Sequence, residues 1–253
     1  MQNTTDFKSL RGTARTAGAV YLALFAAGIV AEFFVRSPLI VPGDAASTAT
    51  NITAAEGLFR AGIASDLIMI ICDIALAYLF YELLKPVSKP LAIIAALFRL
   101  AQAATLGMNL LNLFLALELL GGGAYLSALD SSQLQSLALL FVNAHGTGYA
   151  LGLVFFGVSL AVVGYLTVKS GYLPALLGVL LIVASAGYLA DSFARTLLVS
   201  YEQYAPVFDT AVFMPAFIAE LAMTLWLLIR GVRVPATARI EGQGAAPALR
   251  SAP

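Results

Sequence analysis

Three charged residues, Asp73, Arg99 and Glu220, stand inside long apolar runs where charge is hard to keep. An arginine there stays protonated, whereas a carboxylate can pair with it, take up a proton or hold a cation. Each of the three lies about ten residues from one end of its run. At ~1.5 Å per helical residue this puts all three roughly 15 Å deep, near the middle of a bilayer. A charge at that depth costs at least about 2.5–3.5 kcal/mol, so the three are expected to pair. One arginine facing two carboxylates leaves an acid over, to be protonated or to bind a cation. The competing reading is that Arg99 merely clamps three helices together.

A second set of polar residues continues from this centre. Asp66 shares a helical face with Asp73, seven residues away, and Gln102 and Asn109 repeat that spacing with Arg99 and Asn112 beside them. They outline a polar seam between the second and third apolar runs, either as interhelical hydrogen bonds or as the lining of a cavity. At the rim, Glu32 with Arg36 and Asp191 with Arg195 are i,i+4 pairs. They read as end-of-helix pairs whose long side chains reach the interface, or as a gate or an anion-reading rim.

His145 is the single histidine, and Cys72 the single cysteine. A catalytic zinc ion commonly takes several such ligands, so no metal site is expected, and no intramolecular disulfide can form. A proton relay through His145 stays open. Ala144, Gly148 and Gly152 beside it form a small-xxx-small ridge that suits close helix packing. The chain lacks a nucleophile elbow, a Walker loop and a dinucleotide fingerprint, so no cofactor is expected and an enzymatic role is disfavoured.

The elements that must position these residues follow from composition. Of 253 residues, 60% are hydrophobic and 11% charged, against the roughly 25% charged residues of a soluble domain. Six runs, near 14–35, 57–84, 89–118, 145–168, 172–199 and 208–230, are long enough to cross a bilayer as helices. The fold class is therefore all-α, a polytopic six-helix transmembrane bundle. Residues 1–13 are expected to be a cytoplasmic segment, 14–232 the membrane domain, and 233–253 a disordered cytoplasmic tail. Residues 131–143 are apolar at helical spacing, as an interfacial lead-in or an extension of the fourth span. Pro174 suits a helix start, and Pro215 should kink the sixth span.

Basic residues mark one end of the bundle: Lys8, Arg11 and Arg15, then Lys85 and Lys89, Lys169, and Arg230 with Arg233. The opposite loops hold Asp44, Asp130 and Glu202. By the positive-inside rule both termini are expected in the cytoplasm. The net charge is zero, and no nucleic-acid partner is expected.

The first and fifth runs share a pattern. Gly28, Ala31, Glu32, Phe34, Arg36, Ser37 and Leu39 match Gly187, Ala190, Asp191, Phe193, Arg195, Thr196 and Leu198 in spacing. Asp73-Ile74-Ala75-Leu76 and Glu220-Leu221-Ala222-Met223 align in the runs that come next. This points to a parallel repeat of the first and third helical hairpins, an arrangement some transporters use around a midplane site.

Phe98-Arg99-Leu100 with Gln102, the segment Gly152-Leu-Val-Phe-Phe-Gly157, Gly171-Tyr-Leu-Pro174, and Glu220 ahead of Trp226-Leu-Leu resemble a bacterial integral membrane family. It is the family catalogued as domain of unknown function 4386, and the likeness covers roughly residues 13–232. The resemblance implies the six-span class and a bacterial inner membrane, and carries over no catalytic residue.

The expectation is an inner-membrane protein that binds or moves a small molecule or ion through its polar seam. Asp66, Asp73, Arg99, Gln102, Asn109 and Glu220 are the ligand candidates; Glu32, Arg36, His145, Asp191 and Arg195 are the rim. Its partners are the lipid bilayer and a small molecule, ion or lipid. The alternatives are an accessory or sensory subunit whose charges lock the bundle, and an intramembrane lipid-modifying enzyme.

Overall fold

A computed structural model of the protein describes residues 4–233; the tail expected beyond them lies outside the described residues. Hydrocarbon offers the backbone no hydrogen-bond partners, so the apolar runs close their own bonds as helices. Helix α1 is an α-helix over Thr4–Ile29, a wider π-helix over Val30–Arg36 and an α-helix again over Ser37–Leu39. Next come α2 (Ala45–Ala54), α3 (Glu56–Leu84), α4 (Lys89–Gly121), α5 (Ser131–Lys169) and α6 (Ala175–Leu197). The last, α7, is helical over Tyr201–Phe208, π-helical over Asp209–Phe213 and α-helical over Met214–Ile229. All but α2 contain a segment long and apolar enough to cross a membrane. The protein is thus a multi-pass helical membrane protein.

Each spanning helix packs on the next in the chain, and α7 returns to α1, so the six close into a ring. Their outward faces are apolar: Ile71, Met108, Leu176 and Ile229 are each more than 60% exposed. Such faces belong against lipid. Inside, the core falls into two clusters, one around Leu76, Leu160, Leu181 and Met223, the other around Phe59, Leu106 and Leu113. Glycines permit the closest approaches. A Cβ on Gly164 of α5 would come 2.7 Å from the Gly178 carbonyl of α6. On the small-residue ridge of α5, a Cβ on Gly148 would collide with the Asn109 side chain, and one on Gly152 would meet Leu106, both on α4.

The fourth span is longer than its apolar run indicated, because residues 131–143 continue it without a break. Asp130 starts it with a capping box, its carboxylate accepting from the Gln133 N–H while the Gln133 side chain accepts from the Asp130 N–H. Hydrogen bonds from Ser132 and the Gln133 N–H hold the Asp130 carboxyl below the usual carboxylate range. Helix α2 was not expected from the sequence. Asp44 caps it by accepting from the Ser47 N–H.

Both π stretches run up to a proline two residues on, Pro38 and Pro215. Proline has no N–H, and its ring crowds the carbonyl four residues back, here Phe34 and Ala211, so the helix widens there. The kink expected of Pro215 takes this form. In the first wide stretch the Ser37 N–H donates to the Glu32 carbonyl, five residues back. The Gly171-Tyr172-Leu173-Pro174 turn also has a local cause. Gly171 takes φ +71°, a left-handed conformation that glycine tolerates, and Pro174 caps the start of α6 rather than entering it. Tyr172 tucks beneath the bundle and donates to the Leu83 carbonyl. Burial pushes its phenol above the usual range.

Candidate functional site

Polar residues of the bundle gather in two buried clusters rather than one seam. In the central cluster every spanning helix contributes a side chain. Arg99 of α4 lies 2.7 Å from Asp73 of α3, and both side chains are 2–3% exposed. Gln102, one turn along α4, donates to the other Asp73 oxygen at 3.2 Å. Three rings enclose the guanidinium: Tyr21 of α1, Phe80 of α3 and Phe156 of α5, with centroids 5.4, 5.9 and 5.2 Å away. Aromatic faces attract a cation in a desolvated site.

Glu220 of α7 is buried nearby, but no ion pair joins it to Arg99 among the described residues. Two phenols hold its carboxylate instead: Tyr21 donates to Oε2 at 2.5 Å and Tyr188 of α6 to Oε1 at 2.7 Å. The expectation that Arg99 bridges both acids is therefore replaced by two linked halves, an Arg99–Asp73 pair and a Glu220–tyrosine clamp. Tyr21 belongs to both, since its ring faces Arg99 and its hydroxyl bonds Glu220. Several atoms here are buried with no hydrogen-bond partner: Arg99 Nε and Nη2, Asp73 Oδ1 and Gln102 Oε1. Arg99 Nη2 and Asp73 Oδ1 are in ionic contact with each other, so Arg99 Nε and Gln102 Oε1 are the atoms with no partner of either kind. Buried polar atoms are nearly always paired, so this concentration calls for a cause.

The second cluster lies toward the end opposite the lysines. Arg36 of α1 is 9% exposed and reaches Asp66 of α3, Nη1 to Oδ2, at 2.5 Å. Its Nε contacts Glu32 at 2.8 Å, and Glu32 is 53% exposed. Gly62, one turn before Asp66, allows this approach: a Cβ there would lie 2.7 Å from Val35. Arg36 is thus a buried ion-pair partner rather than an interfacial, snorkelling residue. Its path inward is the π stretch, whose extra residue per turn rotates the side chain out of α-helical register.

His145 and Tyr149 of α5 complete this cluster. With Asp66, Met69, Ile70, Leu106 and Leu110 they line a narrow cleft. Asp66 Oδ1 is buried there without a partner. Asn109 turns away from α3 and donates to the His145 carbonyl at 2.8 Å, while Asn112 donates to Asn109. Of the expected seam, only Gln102 therefore links α4 to α3 through a hydrogen bond.

Asp191 and Arg195 form a third, separate group on α6. Asp191 is buried and receives the Tyr201 hydroxyl at 2.5 Å, and Arg195 contacts it at 3.0 Å while stacking over the Tyr201 ring. Among the described residues, no ion pair links Asp191 to either cluster. The side chains missed in the sequence are mainly aromatic: Tyr21, Phe80, Tyr149, Phe156 and Tyr188. One signal was available, since membrane tyrosines prefer the interfaces, and Tyr21 and Tyr188 lie deep within their spans. Among the described residues no group of histidine, cysteine and carboxylate side chains is arranged to hold a metal ion.

A family model described as a domain of unknown function, DUF4386, matches residues 16–231. The chain is also similar to an uncharacterized protein of the archaeon Archaeoglobus fulgidus. The two are 32% identical over 164 residues, 65% of this chain and 80% of the relative. No solved structure matches.

Proposed function

Starting from the chain's membership of the DUF4386 family, whose function is unknown, we propose that the bundle binds a small molecule or ion at its central cluster and carries it across the membrane. The observation behind this reading is that Arg99 Nε and Gln102 Oε1 are buried with neither a hydrogen bond nor an ionic contact, where all six spanning helices converge. A ligand with both donor and acceptor groups would satisfy them. Charge counting adds to it, because Arg99 offsets one of Asp73 and Glu220, and the other can be neutralised by a proton or monovalent cation. In this reading the protein sits in the plasma membrane with both termini in the cytoplasm, as the distribution of lysine and arginine supports.

Native mass spectrometry of the full chain released from lipid nanodiscs tests the reading. A stoichiometric extra mass, lost in Asp73→Asn and Glu220→Gln at unchanged expression, is expected. A bare mass in the native protein, with unaltered ion uptake by vesicles containing either variant, overturns it.

One observation favours a second reading, in which the charges lock an accessory or sensory subunit. Aromatic enclosure of Arg99 and the double tyrosine clamp on Glu220 are also what a rigid structural joint requires. That reading expects a partner protein to co-purify, and Arg99→Met to destabilise the bundle without changing any bound mass.

A further inference from the structure

The Asp66 cleft combines features that a structural ion pair alone does not need. Arg36 uses only one Asp66 oxygen, leaving Oδ1 buried and unpartnered beside the cleft. Neither the His145 ring nor the Tyr149 hydroxyl has a hydrogen-bond partner among the described residues. Three titratable side chains with spare donor or acceptor capacity thus converge on one space. The other walls, Met69, Ile70, Leu106 and Leu110, are apolar. A proton is the smallest occupant that these three groups can share, and it needs no rearrangement of the apolar walls.

We propose that this cleft is a proton-binding site, in which Asp66 Oδ1 takes up the proton, shares it with the His145 ring, and releases Arg36 to Glu32. The proton comes from water at the half-exposed Glu32 rim, and one O–H bond forms on Asp66. The hydronium ion that delivers it loses one O–H bond and is left as water, and the guanidinium keeps its own protons. Neutral Asp66 no longer attracts Arg36, whereas Glu32, already 2.8 Å from Nε, still does. The charged and titratable groups around the cleft are Glu32 and Arg36 from α1, Asp66 from α3, and His145 and Tyr149 from α5, with Asp73 of α3 and Tyr188 of α6 also within electrostatic reach of Tyr149. From α4 come only the uncharged Asn109 and Asn112, and α2 contains no titratable side chain.

Position ties the site to the centre. Asp66 and Asp73 share one face of α3, roughly 10 Å apart along the axis. On α5, His145 and Tyr149 are succeeded on the same side by Phe156, which touches Arg99. Tyr149 packs against both apolar core clusters. Coupling between the two sites rests on the transport reading: loading a proton at one end would bias a ligand at the other. The proton site itself does not rest on it.

His145 is the only histidine, so histidine labelled with carbon-13 and nitrogen-15 gives one ring signal from the untagged full chain in nanodiscs. The expected result is a transition of that signal between about pH 4 and 8 that disappears in Asp66→Asn. In Arg36→Gln its midpoint should move by about one pH unit or more. A transition unchanged in Asp66→Asn, or a flat response in the native protein, overturns the proposal. Should Asp66→Asn fail to fold, Tyr149→Phe removes only a hydroxyl. A moved midpoint there supports the site, and an unmoved one overturns it. Because this measurement needs no flux, loss of the transport reading would leave it standing, and its failure would leave the central site open to its own test.

Discussion

The segments 28–39 and 187–198 carry the same residue types at the same spacing, yet the structure buries opposite ends of their charged pairs. In the first, Arg36 is turned inward to Asp66 and Glu32 is 53% exposed. In the second, the Asp191 side chain is 2% exposed and Arg195 34%. The backbone accounts for the difference. Pro38 drives the first segment into a π-helix, whereas the second remains α-helical over Ala175–Leu197, with no proline between Arg195 and the end of that helix. A wide turn inserts a residue and rotates the rest of the helix beyond it, so an identical spacing presents a different side chain to the core. A shared motif fixes which residues are available, and local helix geometry selects the one that is buried. The parallel repeat remains a proposal resting on this spacing.

The strongest way to break the comparison is to remove each arginine. Arg36→Gln leaves Asp66 buried without its ion-pair partner, a loss of about 3–5 kcal/mol. Arg195→Gln removes a partly exposed pair and should cost within about 1 kcal/mol. Equal losses, measured by reversible denaturation in micelles, would show that burial in the two segments is the same.

Gly62→Ala comes next. Its Cβ presses on Val35 and should push the π stretch off α3, costing about 1–3 kcal/mol and weakening the Arg36–Asp66 pair. In double-mutant cycles the coupling between Arg36 and Asp66 should fall in the Gly62→Ala background. A coupling that persists undiminished would mean the glycine does not set the approach.

The acids should reverse the order of the arginines. Asp191→Asn weakens a buried acceptor of Tyr201 and Arg195 and should cost about 1–2 kcal/mol. Glu32→Gln, at an exposed position, should change stability by only a few tenths of a kcal/mol. The leading glycines give the smallest contrast. A Cβ on Gly28 would meet Met69 at an ordinary 3.5 Å, and one on Gly187 would press on Val212 at 3.1 Å. Gly28→Ala should therefore be the more stable of the two alanine variants, by about 1 kcal/mol or less. A reversed order in thermal unfolding would contradict the packing difference.

Much of the fold was legible because long apolar runs have few stable forms in a bilayer. Asp73, Arg99 and Glu220 stood out for the same reason, and Gln102 was tied to Arg99 by helical spacing. Periodicity was less informative about partners. Asp66 shares a face with Asp73, yet it pairs with α1, and Asn109 shares a stripe with Gln102, yet it turns to α5. A helical face spans enough angle to touch two neighbours, so spacing on one helix does not say which neighbour answers. Tyrosine partners were hidden because an aromatic residue in an apolar run reads first as packing, and its hydroxyl gains meaning only when another helix supplies the acid.

By itself, the sequence determined that the chain crosses a membrane as six helices, which charges lie deep, and where proline and glycine must disturb the helix. Each of these depends on composition and on interactions within one stretch of chain. Only the tertiary structure decided that the ring closes between α1 and α7, that Glu220 is clamped by tyrosines rather than by Arg99, and that Arg36 turns inward. Those outcomes depend on the rotation of each helix about its own axis against its neighbours, which the packing of the whole bundle sets.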